Sequence, residues 1–226
     1  MCYSADASLA ALVLGIVGQI FLWSKGDRTS KSFALALTSV TAIQAYEYVL
    51  WKNPCSDESP NTTNRDVSRL TMLTILAQPL IIYLAATYAN PKSTEIRTAI
   101  LVGALGYLVL AVVEAWKQWD SVTCSAPAGF TTTGDVCTAN SCGLEWQFIN
   151  TIPAGVWAYY LILILASVYI GVRNKTAANL VGIFILSAYA LSGALHGKQR
   201  SVASHWCFYA VLLPWILFVA PSNVSK

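Results

Sequence analysis

The residues of this sequence that could do chemistry are few, and several lie within apolar segments. Glu47 stands in an apolar run, with Gln44 one helical turn before it on the same face. Glu114 lies near the end of a second run, and Gln78 precedes Pro79 in the middle of a third. Ionisable and amide groups in such segments are suited to holding a proton, an ion or a polar solute. We therefore take these side chains as candidates for a binding pocket.

The two histidines are further candidates. His205 begins an apolar segment and is followed by Trp206, and we include both residues among the pocket candidates. His196 ends the preceding segment. A catalytic zinc ion needs about three protein ligands and an open position, which two histidines on either side of a helix break do not supply. We therefore predict no metal site.

The cysteines are candidates for disulfide bonds, which persist in oxidising compartments. The sequence alone does not choose a pairing among them. Cys2 has a second interpretation, because removal of Met1 would leave it as an N-terminal thiol nucleophile with its own amine as the base. The candidates are Cys2, Cys55, Cys124, Cys137, Cys142 and Cys207.

The elements that must position these residues are helices in a lipid bilayer. The chain is 56% hydrophobic and 11% charged, against about 25% charged in an average soluble domain. A bilayer core about 30 Å thick needs about 20 apolar residues in a helix. The segments that qualify are 7–23, 33–51, 70–89, 96–116, 152–172, 177–195 and 202–220. The sequence thus predicts an all-α integral membrane bundle of seven transmembrane helices, forming one domain over 1–226.

Charge and cysteine placement distinguish the two ends of this bundle. Side A comprises the loops at 24–32, 90–95 and 173–176 and the C-terminal tail, and side B comprises the N-terminus and the loops at 52–69, 117–151 and 196–201. Side A has the excess of Lys and Arg, which places it in the cytoplasm. All the cysteines fall near side B, as an oxidising outer face requires. We predict an N-terminus outside, a cytoplasmic C-terminus and a disulfide-stapled outer loop at 117–151.

The same features exclude some functions and favour another. The net charge of +3 and the absence of a Lys/Arg cluster argue against nucleic-acid binding. Retinal needs a lysine inside a span, and every lysine here lies at a helix end or in a loop, so we predict no retinal or other cofactor. The side-A halves of the spans hold few polar residues, which argues against a continuous pore. We predict a shallow polar pocket on side B that binds, senses or transports a small molecule or an ion, with the lipid bilayer as the other partner.

Two alternatives stay open. The first is a membrane-embedded enzyme of the hydrolase type that uses Cys2 or His205. The second is a structural membrane protein of a virion or an envelope. In that second case Gln78 would be a packing contact between helices, and Glu114 would sit at headgroup depth within an interfacial belt of Trp and Tyr side chains.

The sequence resembles an uncharacterised multi-helix membrane family of bacteria and large DNA viruses that begins Met-Cys-Trp/Tyr-Ser. The matching landmarks are Met1-Cys-Tyr-Ser4, Glu47, Gln78-Pro79, Glu145-Trp146, Pro153 and Trp206-Cys207, spread over most of the chain. The resemblance implies a helical membrane fold and marks these positions, but the family has no assigned activity. That family has a His after the Trp of the fourth loop, where this chain has Gln147, so the resemblance does not imply a metal role here.

Overall fold

The fold is built almost wholly from helices. The computed structural model describes residues 4–55, 61–90, 94–127, 144–149, 151–172, 174–196 and 209–219, with the backbone alone at 94–97, 126–127, 145, 147 and 192–196. The helices are α1 Ala5–Ser24, α2 Arg28–Ala36, α3 Thr38–Lys52, α4 Thr62–Ala89, α5 Thr94–Gln118, α6 Ala154–Gly171, α7 Lys175–His196 and α8 Leu213–Val219. The predicted helical class is confirmed.

The fourth loop contains elements that the sequence did not predict. Strands β1 (Ser125–Pro127) and β2 (Leu144–Trp146) pair antiparallel, and a 3-10 turn, Gln147–Ile149, follows β2. Three-residue strands carry too little alternation to be recognised from sequence, because their pairing partner lies in another part of the loop.

Within the described residues, five helical segments are long and apolar enough to cross a membrane. They are α1, α2 with α3, α4, α5 from Thr98 onward, and α6. The predicted segment 177–195 falls within α7, and α8 covers part of the predicted segment 202–220. The remainder of that last segment lies outside the described residues.

The predicted segment 33–51 is one apolar run in the sequence but two helices in the structure. The break falls at Leu37, between α2 and α3. After it, the Thr38 hydroxyl donates to the carbonyl of Leu35, and the Ser39 hydroxyl donates to the carbonyl of Ala36 at 2.7 Å. Hydroxyl groups that bond to the preceding turn compete with the helical backbone bonds and bend helices.

Helix α4 begins earlier than predicted, and this corrects the expected loop at 52–69. The helix starts at Thr62, and the side chain of its N-cap, Asn61, accepts a hydrogen bond from the backbone N–H of Asn64 at 3.2 Å. A side-chain cap of this kind satisfies a donor that the first turn leaves open. The polar first turns of α4 thus extend beyond the apolar run.

The helices alternate in direction, so each end of the bundle collects particular loops. At side A, the Asn90 side chain after α4 donates to the carbonyl of Ile170 near the end of α6 at 3.0 Å. At side B, Asn64 at the start of α4 bonds to Ser125 after α5.

Much of the exposed helix surface is apolar, and several polar side chains are buried beside the apolar core. Along one face of α5, Val102, Val109 and Val112 are more than half exposed, whereas polar side chains such as Ser68 and Thr71 of α4 are wholly buried. Soluble monomers rarely expose large continuous apolar surfaces. This distribution is typical of helices that face lipid and use polar side chains for contacts with each other.

Candidate functional site

The predicted residues Gln44 and Glu47 lie together on the buried face of α3. Both are 0% exposed, and Thr41, one turn before Gln44, is also buried. Residues at this spacing share one side of a helix, and α3 packs there against α1 and α4. The prediction that Gln44 and Glu47 share a face therefore agrees with the structure.

Helix α1 approaches this face closely. A Cβ atom on Gly15 would lie only 2.7 Å from Oγ1 of Thr41, so glycine is what permits the approach. Gln19 of α1 donates from Nε2 to the same Thr41 oxygen at 2.5 Å. Ser8 of α1 is fully buried as well.

Ser8 and Glu47 lie at a similar depth. Because α1 and α3 are antiparallel neighbours that meet at Gly15 and Thr41, positions can be matched by the rise of 1.5 Å per residue. Ser8 lies about 10 Å from Gly15 along α1, and Glu47 lies about 9 Å from Thr41 along α3, both toward side B. We call Ser8, Gly15, Gln19, Thr41, Gln44 and Glu47 the α1–α3 seam.

The seam is a packed polar layer. Gln44 and Glu47 both have contacts within the protein beyond those described above. Two grooves formed by the described residues lie elsewhere, one at side A and one along α1. The shallow pocket at side B therefore stays a prediction.

Gln78 occupies a different layer and connects three helices. Its Oε1 accepts from the Tyr160 hydroxyl of α6 at 2.5 Å, and its Nε2 donates to the carbonyl of Ser39 in α3 at 3.2 Å. The amide thus bonds between helices and does not serve the carbonyl that Pro79 releases one turn earlier. These contacts favour the packing interpretation of Gln78.

Glu114 is held by a neighbour on its own helix. Lys117 Nζ lies 2.9 Å from Glu114 Oε1, in an i,i+3 pair at the side-B end of α5. The Glu114 side chain is nearly buried and that of Lys117 is exposed. A paired carboxylate at a helix end fits the interfacial interpretation.

Several predicted residues lie outside the described part of the chain. They are His205, Trp206, Cys2, Cys137, Cys142, Cys207 and the side chain of His196. Within the described residues, no group of three or more His, Cys, Asp or Glu side chains could hold a metal ion.

The disulfide prediction is confirmed for one pair. Cys55, after α3, is bonded to Cys124, after α5, with a Cα–Cα distance of 6.0 Å. The bond links positions 69 residues apart in the sequence. It therefore staples the loop after α3 to the beginning of the fourth loop at side B.

A buried hydrogen-bond network that sequence reasoning missed lies beside this disulfide. Asn64 Oδ1 accepts from the backbone N–H of Ser125 at 2.8 Å, and Asn64 Nδ2 donates to the Ser125 carbonyl at 2.9 Å. Nδ2 also donates to the carbonyl of Asn53 at 2.8 Å. The Ser68 hydroxyl donates to Ser125 Oγ at 2.7 Å. We call this network, with the disulfide, the side-B cap.

The Asn64 side-chain amide pairs with the backbone of Ser125 as a neighbouring strand would. It bonds to both backbone groups of Ser125, which fixes β1 against the start of α4. The Asn-x-x-Asn spacing at 61–64 is the available sequence signal for the helix start. Nothing in the sequence marks Ser125 as the partner.

Two tryptophans expected in the interfacial belt, Trp116 and Trp146, differ in exposure. Trp116 is 84% exposed on α5. Trp146 is 0% exposed and stacks on Phe148, with ring centroids 5.8 Å apart. Trp146 lies in β2, and its pairing with β1 holds it in the core.

Together, these features define a helical protein with apolar outer faces, a buried polar seam and a stapled cap. The chain belongs to a family of unknown function, DUF5765, whose family model matches residues 6–225. The matched range begins after the Met1-Cys-Tyr-Ser4 opening, so the match does not test that landmark. Neither the curated proteins nor the solved structures include a significant match to this chain.

Proposed function

We propose that this protein is an integral membrane protein with its N-terminus outside and its C-terminus in the cytoplasm. The apolar helices and their exposed apolar faces support membrane insertion. Basic side chains over aromatic rings at both ends support two interfaces: Arg69 lies 4.9 Å from the Trp119 ring at side B, and Arg28 lies 3.9 Å from the Tyr88 ring at side A.

The course of α8 supports termini on opposite faces. Trp215 Nε1 donates to the carbonyl of Leu14 at 3.1 Å, and Lys25 Nζ donates to the carbonyl of Leu217 at 3.0 Å. Contacts therefore advance along α1 and α8 in the same direction, so α8 ends beside the end of α1. The Cys55–Cys124 disulfide supports an oxidising environment at side B.

Glycosylation in a eukaryotic host tests this orientation. Asn61-Thr-Thr63 lies at side B and Asn174-Lys-Thr176 at side A, and both match the acceptor motif. We expect modification at Asn61 alone. Modification at Asn174 alone would show that the orientation is the opposite of the one proposed.

Within this frame, we propose that the α1–α3 seam binds a small cationic solute that enters from side B. The observation that carries the proposal is the burial of Glu47, a carboxylate in a membrane-length helix, with Gln44 and Thr41 on the same face. Buried ionisable groups in spans are costly and usually functional, and oxygen donors at successive turns suit a hard cation. Glu47 lies about 8 Å from the side-B end of α3, which makes the site shallow.

The thermal unfolding midpoint of the purified full chain tests this function. Sodium, potassium and methylammonium are titrated in turn, with N-methylglucamine keeping the ionic strength constant. A ligand that binds only the folded state stabilises it by about 1.4 kcal/mol at ten times its Kd, which is a rise of roughly 3 °C for a chain of this size. We expect Glu47→Gln to abolish the rise.

Glu114→Gln is the matched control, because Glu114 is also a nearly buried carboxylate but is paired with Lys117. It should keep the rise. A midpoint that no cation moves, or a rise that persists in Glu47→Gln, would refute the cation site.

An architectural membrane protein is the second candidate, and the side-B cap favours it. Asn64 and Ser125 join distant parts of the chain in a buried network next to a disulfide. In this case Glu47→Gln changes the stability of the protein. No cation then moves the unfolding midpoint of either the natural chain or the variant.

A further inference from the structure

A groove at side A lies outside the seam and the cap. It runs between the end of α1, helix α2 and the last turns of α4, with a volume of about 730 Å³. Sites for small ligands commonly enclose about 300–1,000 Å³. Its rim contains Trp23, Arg28, Lys31 and Tyr88, and its floor contains Leu35, Ala36, Ile81 and Ala85.

The rim carries positive charge that no ion pair among the described residues neutralises. Arg28 lies 3.9 Å from the Tyr88 ring centre, and Lys31 Nζ lies 5.7 Å from that of Trp23. Neither basic residue forms an ion pair with any carboxylate in the described part of the chain. The nearest acidic position in sequence is Asp27, whose carboxylate accepts from the backbone N–H and the hydroxyl of Ser30.

The floor is apolar and lies farther from the side-A end of the bundle than the rim. Leu35 follows Arg28 by seven residues along α2, a distance of about 10 Å. Ile81 precedes Tyr88 by the same spacing along antiparallel α4. The groove therefore extends about 10 Å from two cations to an apolar surface. It lies at the end of the bundle where we place the membrane interface.

A second groove provides an internal comparison. It lies along the outer face of α1 beside Trp215, and its apolar walls have Asp6 as their one charged residue. That groove has the apolar surface but not the positive charge. Charge complementarity therefore distinguishes the groove at side A from the apolar exterior.

We propose that the groove at side A binds an anionic phospholipid. The phosphate lies against Arg28 and Lys31, and an acyl chain lies along Leu35 and Ile81. Basic clefts between helices at the cytoplasmic face bind anionic headgroups by this combination of charge and apolar contact. The proposal rests on the membrane placement argued above and is independent of Glu47.

Native mass spectrometry of the full chain in detergent measures this binding. Phosphatidylglycerol and phosphatidylcholine with identical chains are titrated separately, and inorganic phosphate is added as a competitor. Each basic residue near a membrane surface contributes about fivefold in affinity, so we expect a preference of roughly 30-fold for phosphatidylglycerol. Arg28→Gln with Lys31→Gln should abolish the preference, and each single variant should lower it by about fivefold.

Lys175→Gln is the matched control. Lys175 also lies over an aromatic ring, 4.1 Å from the centre of Tyr169, but does not line the groove. Lys175→Gln should leave the preference for phosphatidylglycerol intact. An equal loss in this variant would show that the lipid binds a diffuse basic surface and not the groove, and would overturn the proposal. Displacement of lipid by millimolar phosphate would identify free phosphate as the ligand and overturn the proposal.

Leu35→Trp tests the apolar part without changing charge. Leu35 is exposed in the groove, so the larger side chain fills the floor, and we expect retention of phosphatidylglycerol to fall at least fivefold. Unchanged retention would overturn the proposal even if the double charge variant does not fold. If only the lipid measurements fail, the proposed cation site at Glu47 is unaffected. If the chain stays folded and dispersed without detergent, it is not a membrane protein, and both proposals fail.

Discussion

The two ends of the helix bundle use their polar residues in opposite ways. At side B, Asn64 and Ser125 bond to each other beside a disulfide, and both ion pairs within the described residues, Arg65–Asp66 and Lys117–Glu114, lie at this end. At side A, Arg28 and Lys31 lie over aromatic rings with no ion pair in the described part of the chain. Side B therefore closes on itself, and side A presents charge to its surroundings.

This difference indicates where external ligands should act. Polar groups that satisfy each other gain stability but offer little to a ligand. Cations on a groove rim stabilise the fold less and remain available to an anion. Mutations in the side-B cap should therefore change stability, and mutations of the groove rim at side A should change binding.

The largest expected effect is loss of the disulfide. Cys55→Ser with Cys124→Ser releases a loop of 69 residues, for which chain entropy predicts a loss of about 4 kcal/mol in the free energy of unfolding. The unfolding midpoint should fall by about 10 °C. Thermal unfolding in detergent measures this change, and a fall of less than 2 °C would show that the cap does not depend on its staple.

The next effect is at Asn64. Asn64→Ala leaves the backbone groups of Ser125 and the carbonyl of Asn53 buried without their partner, at a cost of about 3 kcal/mol. Asn61→Ala is the control, because it removes a helix cap worth about 1 kcal/mol and a long hydrogen bond to the Pro54 carbonyl at 3.4 Å, but leaves the Ser125 contacts in place. Equal losses in chemical unfolding for the two variants would mean that the Asn64 network adds nothing to the cap.

A smaller effect, dependent on pH, is expected at Asp27 of side A. Burial acts to raise the pKa of Asp27, but hydrogen bonds from Ser30 and the charge of Lys25 outweigh it and hold the pKa below its ordinary value. Since the folded state has the lower pKa, the stability is present above the ordinary pKa and is lost as the pH falls through the folded value. Asp27→Asn should keep the helix cap at neutral pH and abolish this acid dependence.

The control for that measurement is Asp66→Asn, which removes an exposed carboxylate at side B and should retain the acid dependence that Asp27 provides. The Asp27→Asn variant also tests whether Asp27 neutralises the cations of the groove rim. If Asp27 neutralised Arg28 and Lys31, its removal would strengthen binding of phosphatidylglycerol. Because its carboxylate is committed to Ser30, we expect less than a twofold change.

The smallest effect on stability should come from the groove rim itself. Arg28→Gln with Lys31→Gln removes two cations that lie over aromatic rings and form no ion pair in the described residues. The free energy of unfolding in lipid-free detergent should therefore fall by about 1 kcal/mol. Added phosphatidylglycerol should then stabilise the natural chain and not the variant. A large loss of stability in the absence of lipid would show that these cations have a structural role. The two ends of the bundle would then not differ in the way proposed here.

Part of this architecture could be predicted because it depends on local sequence. A run such as 7–23 is apolar apart from Ser8 and Gln19, and it is long enough to cross a bilayer as a helix. The shared face of Gln44 and Glu47 follows from helical periodicity alone. The break at Leu37 could not be predicted, since Thr38 and Ser39 are compatible with a continuous helix until their hydroxyls bond to the preceding turn.

The candidate site residues divide in the same way. Gln78 stands out in the sequence as an amide in an apolar run, but its role depends on Tyr160, which lies 82 positions later. Glu114 was recognised as a helix-end carboxylate, and its partner Lys117 is close enough in sequence to predict. Pairing at short range can be inferred from helix geometry, whereas pairing at long range depends on how the helices assemble.

The sequence by itself determined the helical class, the positions of the apolar segments and the placement of Cys55 and Cys124 in loops beyond the helices, because composition and periodicity are properties of neighbouring residues. Only the tertiary structure decided that Cys55 bonds to Cys124, that Trp146 is buried, and that Arg28 meets Tyr88 over an apolar floor. These contacts join residues far apart in the chain. Their energies depend on the packing of helices against one another, which no single segment encodes.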